Sequence, residues 1–460
     1  MNPNKSAKQP TRYTHEGAVA AKITPYDELY RSVMACLLFE DNFYESGESI
    51  SDRIQTLVQK VNNEKVLELI KEAKFKMYLR HAPLLLAKAL INKDKHFRCT
   101  VRPVLASILK RPDDLTSFLA LYWSDGKKPI AKCVKKAFVE ALNTFDEYQL
   151  AKYKQDGKEI KLKDIIKLVH PTGNVELFDK VCKDELQTPD TWEVAISAIS
   201  KNDPEYATKI KEAWTRLIVE NRLGALAFLR NIRNMDNANV DVNVIKEKMK
   251  DLKVTKIFPY QFISAARYNP NYEDDLQTLF FKAFESSTKL KGNTAVLVDV
   301  SGSMDYNMST KSNMTRMDAA CSLAMIAREI CENPYIWSFS DETKVIPNRR
   351  GFALRDAIVD SQRHWGTQLF ESVIEVCKTS KKLDRMIIIT DEQAYQYRQK
   401  EAYDITKKLG IPVYVLNVAN YENGIGYREN WVNISGFSDK VFDYIIAREG
   451  LENTQAVNEE

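Results

Sequence analysis

Two carboxylates and several hydroxyls in the last third of the sequence have the spacing of a metal site. Asp299 ends an apolar, β-branched run that begins at Thr294, and Ser301 and Ser303 follow it in a turn. Such a run predicts a strand buried on both faces of a parallel sheet. The carboxylate would then lie at the carboxyl end of the strand, where ligand sites form in open α/β sheets. Carboxylate and hydroxyl oxygens are hard donors of the kind that Mg²⁺ prefers.

Two later segments would complete this set of oxygen ligands. Thr367 follows Gly366 after a helical pattern, and Asp391 follows a second apolar run, RMIIIT. We therefore predict a site for Mg²⁺ or another divalent cation that is formed by five residues: Asp299, Ser301, Ser303, Thr367 and Asp391. A cluster with one open coordination position would accept an acidic group from a protein partner. The alternative is a structural serine-rich turn, which would not need the later threonine and aspartate.

The order Asp-x-Ser-x-Ser, then Thr, then Asp resembles the metal-ion-dependent adhesion site of von Willebrand factor A domains. This resemblance covers about the last third of the chain and implies a doubly wound α/β domain. Two residues depart from the family pattern. Trp365 precedes Gly366 where many relatives have a second glycine, and Glu392 follows Asp391, which adds a negative charge near the proposed metal.

Composition places the chain among ordinary multidomain proteins. With 460 residues, 44% hydrophobic and 28% charged, we expect two or more domains with real cores. The seven cysteines include no Cys-x-x-Cys pair, which favours reduced thiols in a cytoplasmic protein. No apolar run approaches the ~20 residues needed to span a bilayer, and the N-terminus lacks the apolar core of a signal peptide. We expect a cytoplasmic monomer with no membrane partner.

The sequence before Thr294 is dominated by helical periodicity. After a polar segment of about 24 residues, apolar residues recur at spacings of three and four, as in Tyr30, Val33, Met34, Leu37 and Leu38. Pro83, Pro103 and Pro112 are expected at the starts and ends of helices. Short consecutive helices with brief polar breaks predict paired helices stacked as a HEAT-like α-solenoid.

Positive charge is concentrated in this helical part. The whole chain carries +4, and because residues 289–460 hold 21 Lys and Arg against 24 Asp and Glu, the first 288 residues carry +7. Residues 120–170 alone hold 11 lysines against 7 acids. A basic surface confined to one domain suggests a polyanionic partner. The alternative is an ordinary solvated charged face.

Individual basic residues in this stretch are candidate RNA contacts. In the predicted helix 129–143 three lysines share one face, and later lysines alternate with Tyr148 and Tyr153, an arrangement that can hold phosphates and stack bases. The candidates are Lys132, Lys135, Lys136, Lys152, Lys154, Lys158 and His170. His170 follows a predicted helix, so it can instead interact with the helix dipole.

Four strings resemble the TROVE module of the Ro autoantigen family. They are LRHAPLLLAKAL (79–90), AKYKQDGKEIKLKDIIKLVHP (151–171), LGALAFLRNIRNM (223–235) and FPYQFISAARY (258–268). A TROVE module followed by a von Willebrand factor A domain is the architecture of Ro proteins and their bacterial relatives. The combined resemblance covers residues 26 to 450 and predicts an α-helical HEAT-like repeat ring followed by a doubly wound von Willebrand factor A domain.

The resemblance implies an RNA-binding protein without catalytic activity. Ro proteins bind small structured Y RNAs on an outer basic surface, and aberrant RNAs insert single-stranded ends into the central hole. In bacterial relatives a Y RNA tethers an exoribonuclease, polynucleotide phosphorylase. Lys152 and His170 match residues of the family's outer-surface motif, whereas Asp156 replaces one of its basic residues.

Two rival functions remain open at this point. The five histidines form no ligand-spaced cluster and no nucleophile elbow or phosphate loop is present, so an enzyme is not expected. A metal-dependent protein–protein scaffold, acting through the von Willebrand A domain, is the alternative function. The predicted segments are 1–24 (a mobile N-terminal segment), 25–288 (TROVE helical-repeat RNA-binding ring) and 289–455 (von Willebrand factor A domain with the metal-ion-dependent adhesion site).

Overall fold

The computed structural model of the protein describes residues 13, 17–19, 24–35, 47–153, 159–254, 257–285, 287–308, 313–380, 382–419, 424–425, 427–428, 430–435, 441–442, 445–446 and 448–450. The chain divides into two compact units. The helical unit comprises Cys36–Phe39 and Glu48–Leu252, and the sheet unit comprises Met1–Ala35, Glu40–Gly47 and Lys253–Glu460. These two units are defined by their compactness, whereas the domain boundaries predicted from the sequence follow the type of secondary structure. The two divisions therefore answer different questions, and the predicted boundaries stay a prediction.

Helices occupy the described residues up to Phe284. They are α1 (Pro25–Ala35), α2 (Gly47–Lys60), α3 (Asn63–Phe75), α4 (Ala82–Lys93), α5 (Arg98–Ile108), α6 (Pro112–Tyr122), α7 (Lys132–Leu142), α8 (Glu147–Lys152), α9 (Leu162–Val169), α10 (Val175–Lys183), α11 (Trp192–Ser197), α12 (Tyr206–Val219), α13 (Ala225–Asn237), α14 (Val242–Lys250), α15 (Pro259–Tyr268) and α16 (Glu273–Phe284), with a 3₁₀ turn at Pro270–Tyr272. The predicted run of short helices is confirmed.

Helices of the helical unit pack against their near neighbours in the chain. α3 packs on α4, α4 on α5, α5 on α7, and α7 on α9. The apolar string of α4 is buried from Ala82 to Ile91, as expected for a helix that is apolar on all sides. Pro83 and Pro112 occupy the first turns of α4 and α6 as predicted. The prediction for Pro103 is wrong, because it lies inside α5.

The sheet unit is built around a mostly parallel sheet. Its elements are β1 (Leu290–Asp299), a 3₁₀ turn (Gly302–Asp305), α17 (Arg316–Ile330), β2 (Cys331–Phe339), β3 (Thr343–Val345), α18 (Gly351–Val359), α19 (Leu369–Thr379), β4 (Arg385–Thr390), α20 (Gln399–Lys408), β5 (Val413–Asn417), β6 (Tyr427–Arg428) and β7 (Trp431–Ser435). The strand order is β3-β2-β1-β4-β5-β7-β6, with β3 and β6 antiparallel to their neighbours and the other pairs parallel.

Both faces of the central strands are covered. Ala295 and Leu297 of β1 belong to a buried cluster with residues of α19 and α20. Side chains alternate between the two faces of a strand, and the intervening Val296 and Val298 are also fully buried. Helix α17 contacts β1, β2 and β4. These features confirm the predicted α/β sheet that follows the helical region.

No helix in the described part of the chain is long and apolar enough to cross a lipid bilayer.

Candidate functional site

The two aspartates of the candidate metal site lie on neighbouring strands at the point where strand order reverses. β1 pairs with β2 on one side and with β4 on the other, and Val298 is opposite Ile389 in the β1–β4 register. Asp299 therefore lies beside Thr390, whose hydroxyl donates a hydrogen bond of 2.6 Å to Asp299 Oδ2. Asp391 comes next in the chain. A crevice at such a switch point is where open α/β sheets bind ligands.

The turn after β1 brings both serines to the same edge. The backbone N–H of Ser301 donates to Asp299 Oδ1 at 2.9 Å, and the hydroxyl oxygens of Ser301 and Ser303 are 3.4 Å apart. The Ser303 hydroxyl is also hydrogen-bonded to the Asp391 carboxylate. Four of the five predicted metal residues are thus in direct or near contact.

The fifth residue, Thr367, lies on a loop against this turn. The Gly302 N–H donates to the Trp365 carbonyl at 3.2 Å, and the Tyr395 N–H donates to the Thr367 carbonyl at 3.5 Å. Thr367 is buried. Within the described residues its hydroxyl forms no hydrogen bond to the other four side chains, so the structure brings it to the same edge without direct contact.

Burial and like charge dominate the electrostatics of this site. Asp299 and Asp391 are both fully buried. Burial, together with the charge of Asp391, raises the pKa of Asp299, and burial raises the pKa of Asp391 despite the nearby Arg316. The Asp391 Oδ2 atom is buried and accepts no hydrogen bond. Two desolvated carboxylates with an unsatisfied oxygen and adjacent hydroxyls form a set that a divalent cation would neutralise, so these residues fit Mg²⁺.

Arg316 is a member of this site that the sequence analysis missed. It is the first residue of α17 and is only 3% exposed. Its Nη1 lies 3.6 Å from Asp391 Oδ2 and donates to the Ser303 carbonyl at 3.3 Å. No local pattern marks it in the sequence, because Arg316 opens a helix that also contains Asp318, Arg328 and Glu329. Its guanidinium partly offsets the two aspartates.

Glu392 does not add an uncompensated charge to the metal site. Its fully buried carboxylate forms an ion pair with Arg31 of α1 and accepts a hydrogen bond from the Asn417 side chain. Arg31 is itself only 1% exposed. The extra negative charge of Glu392, which departs from the family pattern, is therefore balanced by an arginine 361 positions earlier in the chain.

Ala18 and Val19 pack along the segment that follows Asp391. The Ala18 N–H donates to the Ala394 carbonyl at 3.2 Å. The Gln399 side chain bonds both backbone groups of Val19, at 3.0 and 2.8 Å. Together with the Arg31–Glu392 pair, these contacts hold the backbone next to the candidate metal ligand in place.

Trp365 leaves the backbone of the site intact. Its indole is 65% exposed and lies 5.0 Å from the Arg363 guanidinium, while its carbonyl takes the Gly302 hydrogen bond. Tyr306 and Tyr395 are also exposed near the same loops. The described residues contain no group of three or more His, Cys, Asp or Glu side chains able to hold a metal, so the candidate site depends on its hydroxyls.

The predicted basic residues lie on the surface of the helical unit. Lys132, Lys135 and Lys136 of α7 are exposed, and the opposite side of α7, which includes Val134 and Phe138, is buried as predicted. No described carboxylate forms an ion pair with any of these three lysines. They form an exposed row of free positive charge.

Of the four remaining RNA candidates, Lys152 and His170 lie in the part of the chain that the structure describes. Lys152 ends α8, is exposed, and has its ammonium 5.9 Å from the Tyr148 ring. His170 is exposed and caps the C-terminus of α9 in the left-handed conformation, with φ of 49°. Lys154 and Lys158 lie outside the described residues, as does Asp156. An additional cation missed from the sequence is Arg111, whose guanidinium lies 4.4 Å from the Tyr153 ring.

These features define a class of fold: a helical unit combined with a mostly parallel α/β sheet unit that carries an oxygen-rich site at its switch point. A solved structure gives a more particular match. The chain is similar to the crystal structure of the Deinococcus radiodurans RO (RSR) protein, with a TM-score of 0.63, 18% sequence identity, and coverage of 90% of this chain and 97% of that chain. The resemblance to Ro proteins is thereby confirmed for the fold.

Two other solved structures match part of the chain. One is the conserved hypothetical protein BatB from Bacteroides thetaiotaomicron, with a TM-score of 0.27, 13% identity, and coverage of 35% of this chain and 98% of that chain. The other is an aerotolerance-related membrane protein from Bacteroides fragilis, with a TM-score of 0.23, 16% identity, and coverage of 27% of this chain and 66% of that chain. TM-scores this low carry no argument. No protein-family model and no curated protein matches the sequence.

Proposed function

We propose that this protein is a non-catalytic RNA-binding protein that acts as a ribonucleoprotein in the quality control or decay of non-coding RNA. The observation that carries the proposal is the fold match, which covers 97% of the RO (RSR) protein and 90% of this chain and so includes both units. A fold shared over such a length supports a shared mode of action. The charge distribution gives independent support, because the positive excess lies in the first 288 residues.

The proposed RNA ligands are of two kinds. Small structured Y-like RNAs bind the basic outer surface through Lys132, Lys135, Lys136, Lys152, Lys154, Lys158 and His170. Misfolded or aberrant RNAs insert a single-stranded end into the central hole of a helical ring. Lysines hold phosphates without reading bases, so selectivity comes from the shape of the RNA. An exoribonuclease such as polynucleotide phosphorylase is the proposed protein partner in decay.

The sheet unit is proposed to bind Mg²⁺, or another divalent cation, at Asp299, Ser301, Ser303, Thr367 and Asp391. The cation would supply positive charge to two buried carboxylates and hold an acidic group of a protein partner at an open position. Arg316 would orient Asp391 and moderate the charge of the site. This proposal is supported by the unsatisfied, buried Asp391 Oδ2 atom.

The RNA proposal is tested by the salt dependence of binding. Filter binding would compare a structured RNA with one that has a frayed single-stranded end, using wild-type protein, Lys135→Gln/Lys136→Gln and a control, Lys400→Gln/Lys408→Gln, in exposed positions of α20. Each lost phosphate contact lowers the slope of log K against log salt by about 0.7 to 0.9. The α7 variant should therefore bind less tightly with a smaller slope, and the control should match wild type.

The alternative function is a protein–protein scaffold that acts through the sheet unit. It is favoured by the exposed Tyr306, Trp365 and Tyr395, which are 48%, 65% and 42% exposed near the candidate metal site. Absence of RNA affinity at moderate salt, combined with Mg²⁺-dependent capture of a protein that Asp391→Asn abolishes, would favour the scaffold over RNA binding. Release of nucleotides from RNA by purified protein would instead indicate an enzyme.

A further inference from the structure

A second concave site lies in the helical unit. A cavity of about 460 Å³ opens between the end of α8, the start of α9, the end of α10 and the segment 186–194. Its apolar lining includes Leu150, Leu162 and Val181, all of which are buried. Sites for small molecules typically have volumes of about 300 to 1,000 Å³ and a mostly apolar lining with a few polar groups, so this cavity has the size and composition of a ligand site.

The charged groups of this cavity form a partly compensated basic rim. Three lysines line it, Lys152, Lys161 and Lys163, together with two carboxylates, Asp184 and Glu193. The Lys163 ammonium lies 3.5 Å from Asp184. The lining therefore has a net charge of +1. This suits an anion of low charge, because the two carboxylates would repel a highly charged one.

Tyr153 adds an aromatic face to the same lining. The Arg111 guanidinium, which is paired with Asp113, lies 4.4 Å from the centroid of its ring, and the Lys152 ammonium lies 6.0 Å from it. Tyrosine rings flanked by cations are a usual platform for bases of single-stranded nucleic acid. The polar lining residues Gln187 and Thr188 have donors and acceptors for the edge of a base or for ribose hydroxyls.

We propose that this cavity binds one unpaired nucleotide of an RNA strand. The base would lie against the apolar lining and Tyr153, and the phosphate would contact the lysine rim. A nucleotide combines a flat apolar surface, a single anionic group and hydrogen-bonding edges, and the cavity offers a counterpart to each. An acidic peptide would satisfy the lysines but would bring its carboxylates toward Asp184 and Glu193. This inference rests on the proposed RNA-binding function and names a ligand pocket separate from the α7 lysines.

The first test uses free nucleotides as probes. Uridine 5′-monophosphate and uridine would be titrated into the full-length protein, with binding followed by ligand-observed NMR. Leu186, a half-buried lining residue, is replaced by Trp to fill the cavity, and Lys161→Gln removes one charge from the rim. We expect Leu186→Trp to lose both ligands and Lys161→Gln to weaken the monophosphate more than the nucleoside. Leu226→Trp, at an exposed position of α13, is the matched control and should bind as wild type does.

The second test uses a single-stranded 10-nucleotide RNA and a fully paired duplex. Loss of one buried base should weaken binding of the single strand about ten-fold in Leu186→Trp, within the range for one stacked base, and should leave duplex binding unchanged. Equal single-strand affinity in wild type and Leu186→Trp, or displacement of the monophosphate by a polyglutamate peptide, would overturn the inference.

The two proposals fail in different ways. If wild-type protein binds RNA with a steep salt dependence but binds no nucleotide, the cavity inference is wrong and the RNA function stands. If the protein binds no RNA at all, the RNA function is wrong, and the assignment of the cavity to an RNA nucleotide is overturned with it. Circular dichroism of Leu186→Trp, compared with Leu226→Trp, verifies that any loss of binding does not come from loss of the fold.

Discussion

Neutralising one of the two buried aspartates should stabilise the metal-free protein while it removes the metal site. We consider Asp299→Asn, which keeps the shape of the side chain. Asp299 Oδ1 accepts the Ser301 N–H and Oδ2 accepts the Thr390 hydroxyl. The asparagine oxygen can keep the first bond, and its NH₂ group can donate to the Thr390 hydroxyl, because a hydroxyl is both donor and acceptor. The substitution therefore removes the charge and keeps a hydrogen bond to each neighbour, while the Thr390 hydroxyl, which already accepts the Glu392 N–H, accepts a second bond in place of the one it donates.

The magnitude follows from the pKa of Asp299. Burial and the charge of Asp391 raise this pKa from 3.8 to about 7. Because the pKa is higher in the folded protein than in the unfolded chain, the folded state is stabilised by protonation, and this contribution is lost as pH rises from about 4 to about 7. At about 1.4 kcal/mol per pKa unit, the cost of the ionised carboxylate above pH 7 is on the order of 4 kcal/mol. Asparagine avoids this cost.

The assay is urea unfolding in EDTA and in Mg²⁺, at pH 5 and at pH 8, combined with calorimetric titration of Mg²⁺. In EDTA at pH 8, Asp299→Asn should unfold at a higher urea concentration than wild type, and the difference should shrink at pH 5. Mg²⁺ should stabilise wild type, because a ligand that binds only the folded state shifts the unfolding equilibrium, and should have no such effect on the variant. The control is Asp404→Asn, at an exposed position of α20.

Two results would refute this reasoning. If Asp299→Asn is no more stable than wild type in EDTA at pH 8, ionisation of the buried Asp299 beside Asp391 does not carry the expected cost in the folded protein. If calorimetry shows equal Mg²⁺ binding by wild type and the variant, Asp299 is not part of a metal site. RNA binding by Asp299→Asn should remain at the wild-type level, which separates loss of the metal from loss of the fold.

Three further predictions concern other charged groups. Arg31→Met should cost about 3 to 5 kcal/mol in urea unfolding because it removes the cation that balances the buried Glu392 carboxylate, and adding Glu392→Leu should recover most of that loss; equal stability of the single and double variants would contradict this. Burial lowers the pKa of His364, but the Val359 carbonyl and Asp305 outweigh this effect and raise the pKa above its ordinary value of 6.5. The stability that His364→Gln removes should therefore be fully present below about pH 6.5 and be lost as pH rises through the higher pKa of the folded protein; a pH-independent difference would contradict it. Lys136→Glu should weaken RNA binding at low salt more than at high salt, and a constant ratio in filter binding would exclude Lys136 from the RNA surface.

Local patterns were enough to predict most elements that position the candidate site. The β-branched runs before Asp299 and Asp391 are strands β1 and β4, and each aspartate lies at a strand end as expected. The helix predicted immediately before His170 is observed as α9, Leu162–Val169. Such features follow from residue type and spacing within a few positions, which is the range over which periodicity and capping act.

Contacts between distant parts of the chain could not be predicted in this way. Arg31 and Glu392 are separated by 361 positions, and no periodicity relates them. Arg316 looked like an ordinary residue at the start of a helix, and only the pairing of β1 with β4 places it beside Asp391. The cavity near Tyr153 has the same origin, since its lining comes from four helices, α8 to α11, and from the segment before α11.

The consecutive acids Asp391 and Glu392 have different partners, because Arg316 lies near Asp391 and Arg31 forms an ion pair with Glu392. Glu392 has a positive φ of 62°, which turns the backbone immediately after Asp391, and its carboxylate is directed to Arg31 and Asn417. Asp391 instead keeps one oxygen without a hydrogen bond beside Asp299 and Ser303, with Arg316 at 3.6 Å. A left-handed conformation at a residue other than glycine costs roughly 1 to 3 kcal/mol and persists where the surroundings hold it in place. The buried ion pair with the N-terminal helix is such a constraint, and it leaves Asp391 as the acid available to a cation.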